Sequence, residues 1–281
     1  MIFQLLIVLA AIVIGARKGG IGLGVAGGLG LAVLTFGFGL RPTSPPIDVM
    51  LMIAAVIAAA SCMQAAGGLD LMVKWAERLL RRHPQHITLL SPLVTYLFTL
   101  LAGTGHVAYS ILPVIAEVAT ETKVRPERPL SIAVIASQQA ITASPISAAT
   151  VVLLSMLAGY DITLIDIMKI AIPCTMAGVL LGALYSMKIG KELADDPEYR
   201  RRLAEGAFES KHRHTREVEN PRGALLSVVL FLVATVGIVI FGSSEALRPV
   251  FHTNEGTVPM QMSHIIEILM LSAAALMLIG T

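Results

Sequence analysis

Two short stretches decide the fold of this 281-residue chain: TLLAGTGHVA at residues 99–108 and AITASPISAA at residues 140–149. Each interrupts a long apolar segment, Ile87–Glu121 in the first case and Leu130–Ala158 in the second. The whole chain is 55% hydrophobic and 14% charged, with a mean hydropathy of +0.77. An average globular protein has about 25% charged residues. The composition therefore indicates a membrane protein and excludes a disordered chain, a coiled coil and an ordinary soluble enzyme.

Other apolar segments predict simple transmembrane helices, because about 20 apolar residues span the hydrocarbon core of a bilayer. They are Ile2–Ala16, Ile21–Leu40, Val49–Ala66, Leu164–Met187, Ala224–Gly242 and Ser263–Thr281. A signal peptide has its positive charges before the apolar core, whereas Arg17 and Lys18 follow the first segment here. We therefore predict an uncleaved first helix with its N-terminus outside the cell.

Positive charge predicts how the chain is threaded through the membrane, because loops rich in Lys and Arg face the cytoplasm. Four loops hold 18 of the 21 Lys and Arg residues: Arg17–Lys18, Lys74–Arg82, Lys123–Arg128 and Lys188–Arg222. All four lie on one side only if Ile87–Glu121 enters and returns without crossing and Leu130–Ala158 crosses once. The pattern therefore predicts a re-entrant helical hairpin over 87–121 and a broken transmembrane helix over 130–158.

Asp70–Arg82 has the pattern of an amphipathic helix in the cytoplasmic interface. Leu71, Trp75 and Leu79 recur every four residues, and Trp75 is the expected anchor. A plain connector fits the same stretch. The polar stretch Lys188–Arg222 is interpreted as a partly helical cytoplasmic linker.

The glycines near the N-terminus spell GxGxxG at residues 22–27, which on paper is a dinucleotide-binding fingerprint. That motif needs a preceding strand and a βαβ unit, whereas here it lies within an apolar span. Gly20, Gly24 and Gly28 are four residues apart, so we predict that they form a small-residue face for close helix packing.

The two interruptions carry the functional argument, because unwound backbone in a bilayer is tolerated only where it is buried in protein or lines a cavity. Transporters use such breaks to hold ions and anionic substrates. A Pro-kinked helix or a glycine turn that binds nothing is the alternative for each. Nine residues are the predicted substrate-binding set: Gly103, Thr104, Gly105, His106, Thr142, Ala143, Ser144, Pro145 and Ser147.

The two segments offer different donors. Gly103-Thr104-Gly105 predicts a turn with exposed amides and one hydroxyl, and His106 beside it either binds a carboxylate or holds the turn. Pro145 removes an amide and disfavours helix at Ser144, so two half-helices should meet there. The second half-helix begins with free amides, which favour a carboxylate.

At these residues the sequence resembles the anaerobic C4-dicarboxylate transporter (Dcu) family, and its DcuA/DcuB branch in particular. The matching stretches cover nearly all of residues 1–206 in order. They are GARKGGIG (15–22), QAAGGLD (64–70), ERLLRR (77–82), AGTGH (102–106), LPVI (112–115), RPERP (125–129), ASPIS (143–147) and DDPEY (195–199). After Arg222 the likeness is weaker and depends mainly on hydropathy.

The resemblance implies an all-α polytopic membrane protein, an inverted-repeat transporter related to the ion-transporter superfamily. It implies a first repeat over 1–187, with scaffold helices in 2–66, the interfacial helix 70–82, the hairpin 87–121, the broken helix 130–158 and the span 164–187. The linker 188–222 and the start of a second repeat, 223–281, would follow. Family members continue well past position 281, so we expect either a fragment or a partner that supplies the second repeat.

The resemblance further implies exchange of fumarate, succinate, malate and aspartate across the bacterial inner membrane. A sodium- or proton-coupled dicarboxylate symporter is the alternative, and a membrane-embedded sensor or regulatory partner is a third reading. An enzyme using His106 and Ser110 is not expected, because no third orienting group or nucleophile elbow accompanies them. The expected partners are dicarboxylates and the lipid bilayer. A homodimer and a sensor kinase are left open, and no nucleic acid, metal or cofactor is expected.

Overall fold

The computed structural model describes residues 1–157, 160, 162–190, 193–204, 218–253 and 256–281. The chain divides into two compact units, Met1–Ile47 and Asp48–Thr281. Six helical segments of the described residues are long and apolar enough to cross a membrane: Ile47–Ala65, Pro84–Ala102, Glu127–Met156, Leu164–Ser186, Pro221–Ser243 and Met262–Gly280. The all-α polytopic membrane class is confirmed, while the repeat and its boundaries stay predictions.

The first unit is a pair of helices, α1 (Ile2–Lys18) and α2 (Ile21–Ala32), and α2 continues as a π-helical turn over Val33–Gly37. Gly19 and Gly20 join the two helices with φ of 65° and 49°, a backbone region that favours glycine. These two glycines let the chain reverse within two residues.

Gly20, Gly24 and Gly28 do not form the contact between α1 and α2, so the predicted packing face is not the one that these two helices use. A Cβ built on any of the three would meet no heavy atom of the described chain within 4 Å. The close approach is made instead at Gly15, where a Cβ would lie 2.8 Å from Leu23 Cα, and at Gly30. Because the Gly19–Gly20 turn sets the rotation of α2, Leu23, Ala26 and Gly30 face α1.

In the described residues of the second unit, the regular structure is helical apart from one short β-hairpin. Its helices are α3 (Ile47–Ala65, which begins at the boundary), α4 (Gly68–Arg82), α5 (Ile87–Ala102), α6 (His106–Glu121), α7 (Glu127–Ala143), α8 (Ala148–Met156), α9 (Leu164–Ser186), α10 (Pro197–Ala204), α11 (Pro221–Ser243) and α12 (Met262–Gly280). The strands β1 (Val250–Thr253) and β2 (Gly256–Pro259) pair antiparallel between α11 and α12. This hairpin was not predicted from the sequence.

The two interrupted segments fold close to their predicted bounds. α5 and α6 form a helical hairpin around Gly103–Gly105, and α7 and α8 are separated at Ser144–Ser147. α7 begins at Glu127, three residues before the predicted Leu130, because Pro126 occupies the position that precedes its first turn. The predicted end of the broken segment, Ala158, lies outside the described residues.

Three of the four basic stretches lie at one end of the second unit. Arg81 at the end of α4 contacts Glu121 at the end of α6, so the hairpin starts and finishes there. Arg128 at the start of α7 donates to the carbonyl oxygens of Ile189 and Gly190, just beyond α9, at 2.7 and 2.9 Å. The basic residues of 74–82, 123–128 and the beginning of 188–222 therefore share one end, as the charge pattern requires.

Before α11 begins at Pro221, the described part of 188–222 contains α10 and a short 3-10 turn at Leu193–Asp195. Asp196 accepts hydrogen bonds from the amides of Glu198 and Tyr199, and Arg125 binds its other carboxylate oxygen at 3.1 Å. The contact between Arg125 and Asp196 thus joins the beginning of 188–222 to the loop before α7. Residues 191–192 and 205–217 lie outside the described part.

Candidate functional site where the hairpin tip meets the broken helix

The hairpin tip requires glycine at its first position. Gly103 has φ of 69° and ends α5 by donating its N–H to the carbonyl oxygen of Thr99 at 2.9 Å. A Cβ on Gly103 would lie 2.7 Å from Cγ1 of Ile146, so a side chain has no room. A Cβ on Gly105 would lie 3.5 Å from Oγ of Ser137, in α7. The tip therefore lies directly against α7 and the break, and the two predicted segments meet.

Hydrogen bonds among hydroxyl-bearing residues stabilise the break between α7 and α8. Ser147 caps α8, because its Oγ accepts from the amide of Thr150 at 3.2 Å. Thr150 Oγ1 donates to the carbonyl oxygen of Thr142 at 3.2 Å and lies 3.0 Å from Ser147 Oγ. Since the single hydroxyl proton of Thr150 is used on Thr142, Ser147 is the donor between the two hydroxyls. The predicted donor Ser147 is therefore already engaged within the protein.

Ser144 differs from Ser147. Its backbone is extended, with φ of −75° and ψ of 131°, as expected for the residue before Pro145. The side chain is fully buried, and its Oγ has no hydrogen-bond partner among the described residues. An unpaired buried hydroxyl costs about 1–3 kcal/mol. Ser144 therefore keeps a donor that a bound anion could use.

Thr99 has the same property and was missed by the sequence analysis. It is fully buried one turn before Gly103, and its Oγ1 likewise has no partner within the described chain. The two unpaired hydroxyls thus belong to the residues on either side of the contact between tip and break.

Thr99 is the last of three hydroxyls on one face of α5. Ser91 donates to the carbonyl oxygen of Pro129 at 3.2 Å, and Thr95 donates to that of Ala133 at 3.1 Å. Because α5 and α7 run in the same direction, a further step of four residues would bring Thr99 to residue 137. That bond is not made, and the series ends with a free hydroxyl beside the tip. Hydroxyls four apart in an apolar helix were the available sequence signal.

The other predicted site residues are distributed as follows. Thr104 is half-buried at the tip, Thr142 is exposed at the end of α7, and Ala143 and Pro145 are buried in the break. His106 begins α6, but its side chain lies outside the described part of the structure. No group of three His, Cys, Asp or Glu residues that could hold a metal ion occurs among the described residues.

The charged side chains of α4 and α6 pair with one another away from the hairpin tip. Arg81 binds Glu77 and Glu117 at 2.9 Å and Glu121 at 2.8 Å. Partial burial opposes the charge of Arg81, but the hydrogen bonds to these three carboxylates raise its pKa above the ordinary value. Glu117 is therefore held in an ion-pair network between α4 and α6 and is not a carboxylate of the tip.

Comparison with known proteins assigns the family. The family model described as the anaerobic C4-dicarboxylate membrane transporter, DcuA/DcuB, matches residues 1–281. The C4-dicarboxylate transporter DcuA of Wolinella succinogenes is 50% identical over 244 residues, which are 87% of this chain and 56% of that protein. DcuA of Escherichia coli K12 is 50% identical over 242 residues, which are 86% of this chain and 55% of that protein.

The anaerobic C4-dicarboxylate transporter DcuB of Escherichia coli O6:H1 is 41% identical over 287 aligned positions, which cover 99% of this chain and 64% of that protein. This chain therefore spans somewhat more than half the length of the curated relatives it matches. Each of these relatives is named a transporter and none an enzyme. No solved structure matches the chain. The chain belongs to the DcuA/DcuB family of anaerobic C4-dicarboxylate membrane transporters.

Proposed function

We propose that this chain forms the substrate-binding part of an exchanger of C4-dicarboxylates such as fumarate, succinate, malate and aspartate. The proposal depends on two fully buried hydroxyls that have no partner among the described residues, Thr99 and Ser144, one on each side of the contact between hairpin tip and break. The names of the relatives supply the substrate class.

The chemistry of the contact suits a dianion. Hydroxyl groups that donate to a carboxylate make charge-assisted hydrogen bonds, which are roughly twice as strong as neutral ones. The first turn of a helix leaves amides without intrahelical acceptors, and in α8 Ser147 satisfies the one at Thr150. The amides of Ala148 and Ala149 precede it and favour a carboxylate at this helix end.

We also propose that the hairpin α5–α6 is re-entrant in the bacterial inner membrane and that the N-terminus of the chain is periplasmic. Support comes from the shared end of the basic stretches, because a cytoplasmic excess of Lys and Arg sets membrane orientation. In this proposal the hairpin starts and finishes at the cytoplasmic end and its tip lies inside the bilayer. Labelling of single cysteines at Lys123 and at Tyr160 with an impermeant reagent tests this, since the two positions should react from opposite sides.

Counterflow tests the transport mechanism. Proteoliposomes loaded with succinate should take up labelled fumarate, because an exchanger needs an internal substrate for each return step. Liposomes without internal dicarboxylate should take up far less. Equal uptake in both preparations would exclude exchange.

A dicarboxylate symporter is the competing mechanism, since unwound segments with free carbonyl groups also hold Na⁺. Uptake into empty proteoliposomes should then depend on an inward gradient of sodium or protons. An exchanger should show no such dependence when internal succinate is present.

A further inference from the structure

Helix α4 presents two different faces, one of which packs against the protein. Met72, Val73, Ala76 and Leu80 are buried there, with at most 5% of each side chain exposed. Val73, Ala76 and Leu80 pack in the same apolar cluster as Ile87 and other residues of the hairpin. α4 is therefore fixed in place, and the orientation of its other face is determined.

The other face carries an exposed apolar stripe. Trp75 and Leu79 lie one turn apart and are 40% and 44% exposed, and Leu71 precedes them by another turn. Large apolar side chains at this spacing beside membrane-spanning helices are typical of a helix that lies in the plane of the lipid headgroups. The stripe lies at the same end of the unit as the basic loops, next to the start of α5.

A row of positive charge runs alongside this stripe. Lys74, Arg78 and Arg82 are four residues apart, so at 3.6 residues per turn they lie almost in line, each three residues after a position of the apolar stripe. None of the three has an ion-pair partner among the described residues, whereas Arg81 beside them binds three carboxylates. Glu77, Glu117 and Glu121 are thus held by Arg81, and Asp70, one turn before Lys74, makes no ion pair with the row in the described structure.

We propose that Lys74, Arg78 and Arg82 bind the headgroups of anionic phospholipids while Trp75 and Leu79 enter the acyl-chain boundary. Charge complementarity selects the lipid. Three cations without ion-pair partners attract a headgroup with a net negative charge, whereas a zwitterionic headgroup has no net charge. Each Lys or Arg near an anionic surface contributes about a fivefold increase in affinity. The three together should enrich anionic lipid around α4 by on the order of 100-fold.

Trp75 is the single tryptophan of the chain, so its fluorescence reports on this stripe alone. The full chain is reconstituted in phosphatidylcholine vesicles that contain a small, equal mole fraction of brominated phosphatidylglycerol or brominated phosphatidylcholine. We expect brominated phosphatidylglycerol to quench Trp75 at a much lower mole fraction. The triple variant Lys74→Gln, Arg78→Gln, Arg82→Gln should be quenched equally by both lipids.

The matched control removes three positive charges from α10 by the changes Arg200→Gln, Arg201→Gln and Arg202→Gln. There Arg201 and Arg202 already pair with Glu198 at 2.9 and 2.8 Å, so the preference for phosphatidylglycerol should persist. Equal quenching of the unmodified chain by both lipids would overturn the proposal. Quenching by neither lipid would also overturn it and would indicate a protein partner on the stripe. The readout requires no transport, so it is independent of the proposed exchange.

Discussion

Replacing Thr99 by valine separates a substrate-binding hydroxyl from a structural one, because Thr95 provides a matched control on the same helix face. Both side chains are fully buried, and both substitutions exchange a hydroxyl for a methyl group of similar size. Thr95 Oγ1 lies within hydrogen-bonding distance of the carbonyl oxygens of Ser91, Pro92 and Ala133, whereas Thr99 Oγ1 has no partner in the described chain. The two variants should therefore have opposite effects.

The magnitudes follow from these hydrogen bonds. Thr95→Val removes one satisfied hydroxyl and should lower the free energy of unfolding by about 1 kcal/mol. Thr99→Val removes an unpaired buried hydroxyl, so the free energy of unfolding should stay constant or rise by about 1 kcal/mol. If Thr99 donates to a dicarboxylate, its loss should cost about 1.5–3 kcal/mol of binding, which is roughly a 10- to 150-fold increase in Kd.

The assay measures stability and affinity on the same preparations. Unfolding in detergent gives the stability of each variant, and binding of labelled fumarate to the purified protein gives the Kd. The reasoning is refuted if Thr99→Val destabilises the protein as much as Thr95→Val does while the Kd stays unchanged. In that case Thr99 has a structural partner and belongs to the packing of α5 on α7.

Three further substitutions test the break, the tip and the ion-pair network, and the first two are each compared with a control substitution. Ser144→Ala should raise the Kd for fumarate about 10-fold or more and leave the free energy of unfolding unchanged. Ser147→Ala should instead lower the free energy of unfolding by about 1 kcal/mol, because it removes a helix cap. Unfolding and binding curves of both variants test these two expectations. Gly103→Ala should abolish folding or binding, since φ is positive at this position and the added Cβ would clash with Ile146. Gly24→Ala should be tolerated in the same expression and binding assays, because an added Cβ meets no atom of the described chain there. Arg81→Gln should lower the unfolding midpoint by the equivalent of about 1–2 kcal/mol, because three carboxylates lose their shared partner, and an unchanged midpoint would show that the network contributes nothing.

The break and the tip were predictable because their causes are local. A proline excludes helix at the residue before it, and Ser144 is extended for that reason. A glycine can adopt positive φ without strain, and Gly103 ends α5 in this way. The same kind of reasoning did not find the contact between α1 and α2, which is made at Gly15 and Gly30, because the face that a helix turns toward its neighbour depends on the preceding turn.

The roles of the hydroxyl groups could not be predicted, because each depends on contacts between distant parts of the chain. Ser144 and Ser147 are equivalent in the sequence pattern, but Ser147 is engaged by Thr150 and Ser144 is unpaired. Thr99 becomes conspicuous only when Thr95 is seen to reach the carbonyl oxygen of Ala133, 38 residues away. Such pairings arise when helices pack, and no local pattern records them.

The amino-acid sequence by itself therefore determined the membrane class, the approximate positions of the apolar helices, the glycine turn and the proline break, and the family resemblance. Hydropathy, charge, glycine and proline act over a few residues, and their effects can be assigned without knowing which helices touch. Only the tertiary structure decided that the tip lies against the break, which hydroxyls remain available, and which basic residues of α4 are left without carboxylates. Those properties depend on which groups satisfy one another across the packed helices, and burial makes an unsatisfied group costly enough to be informative.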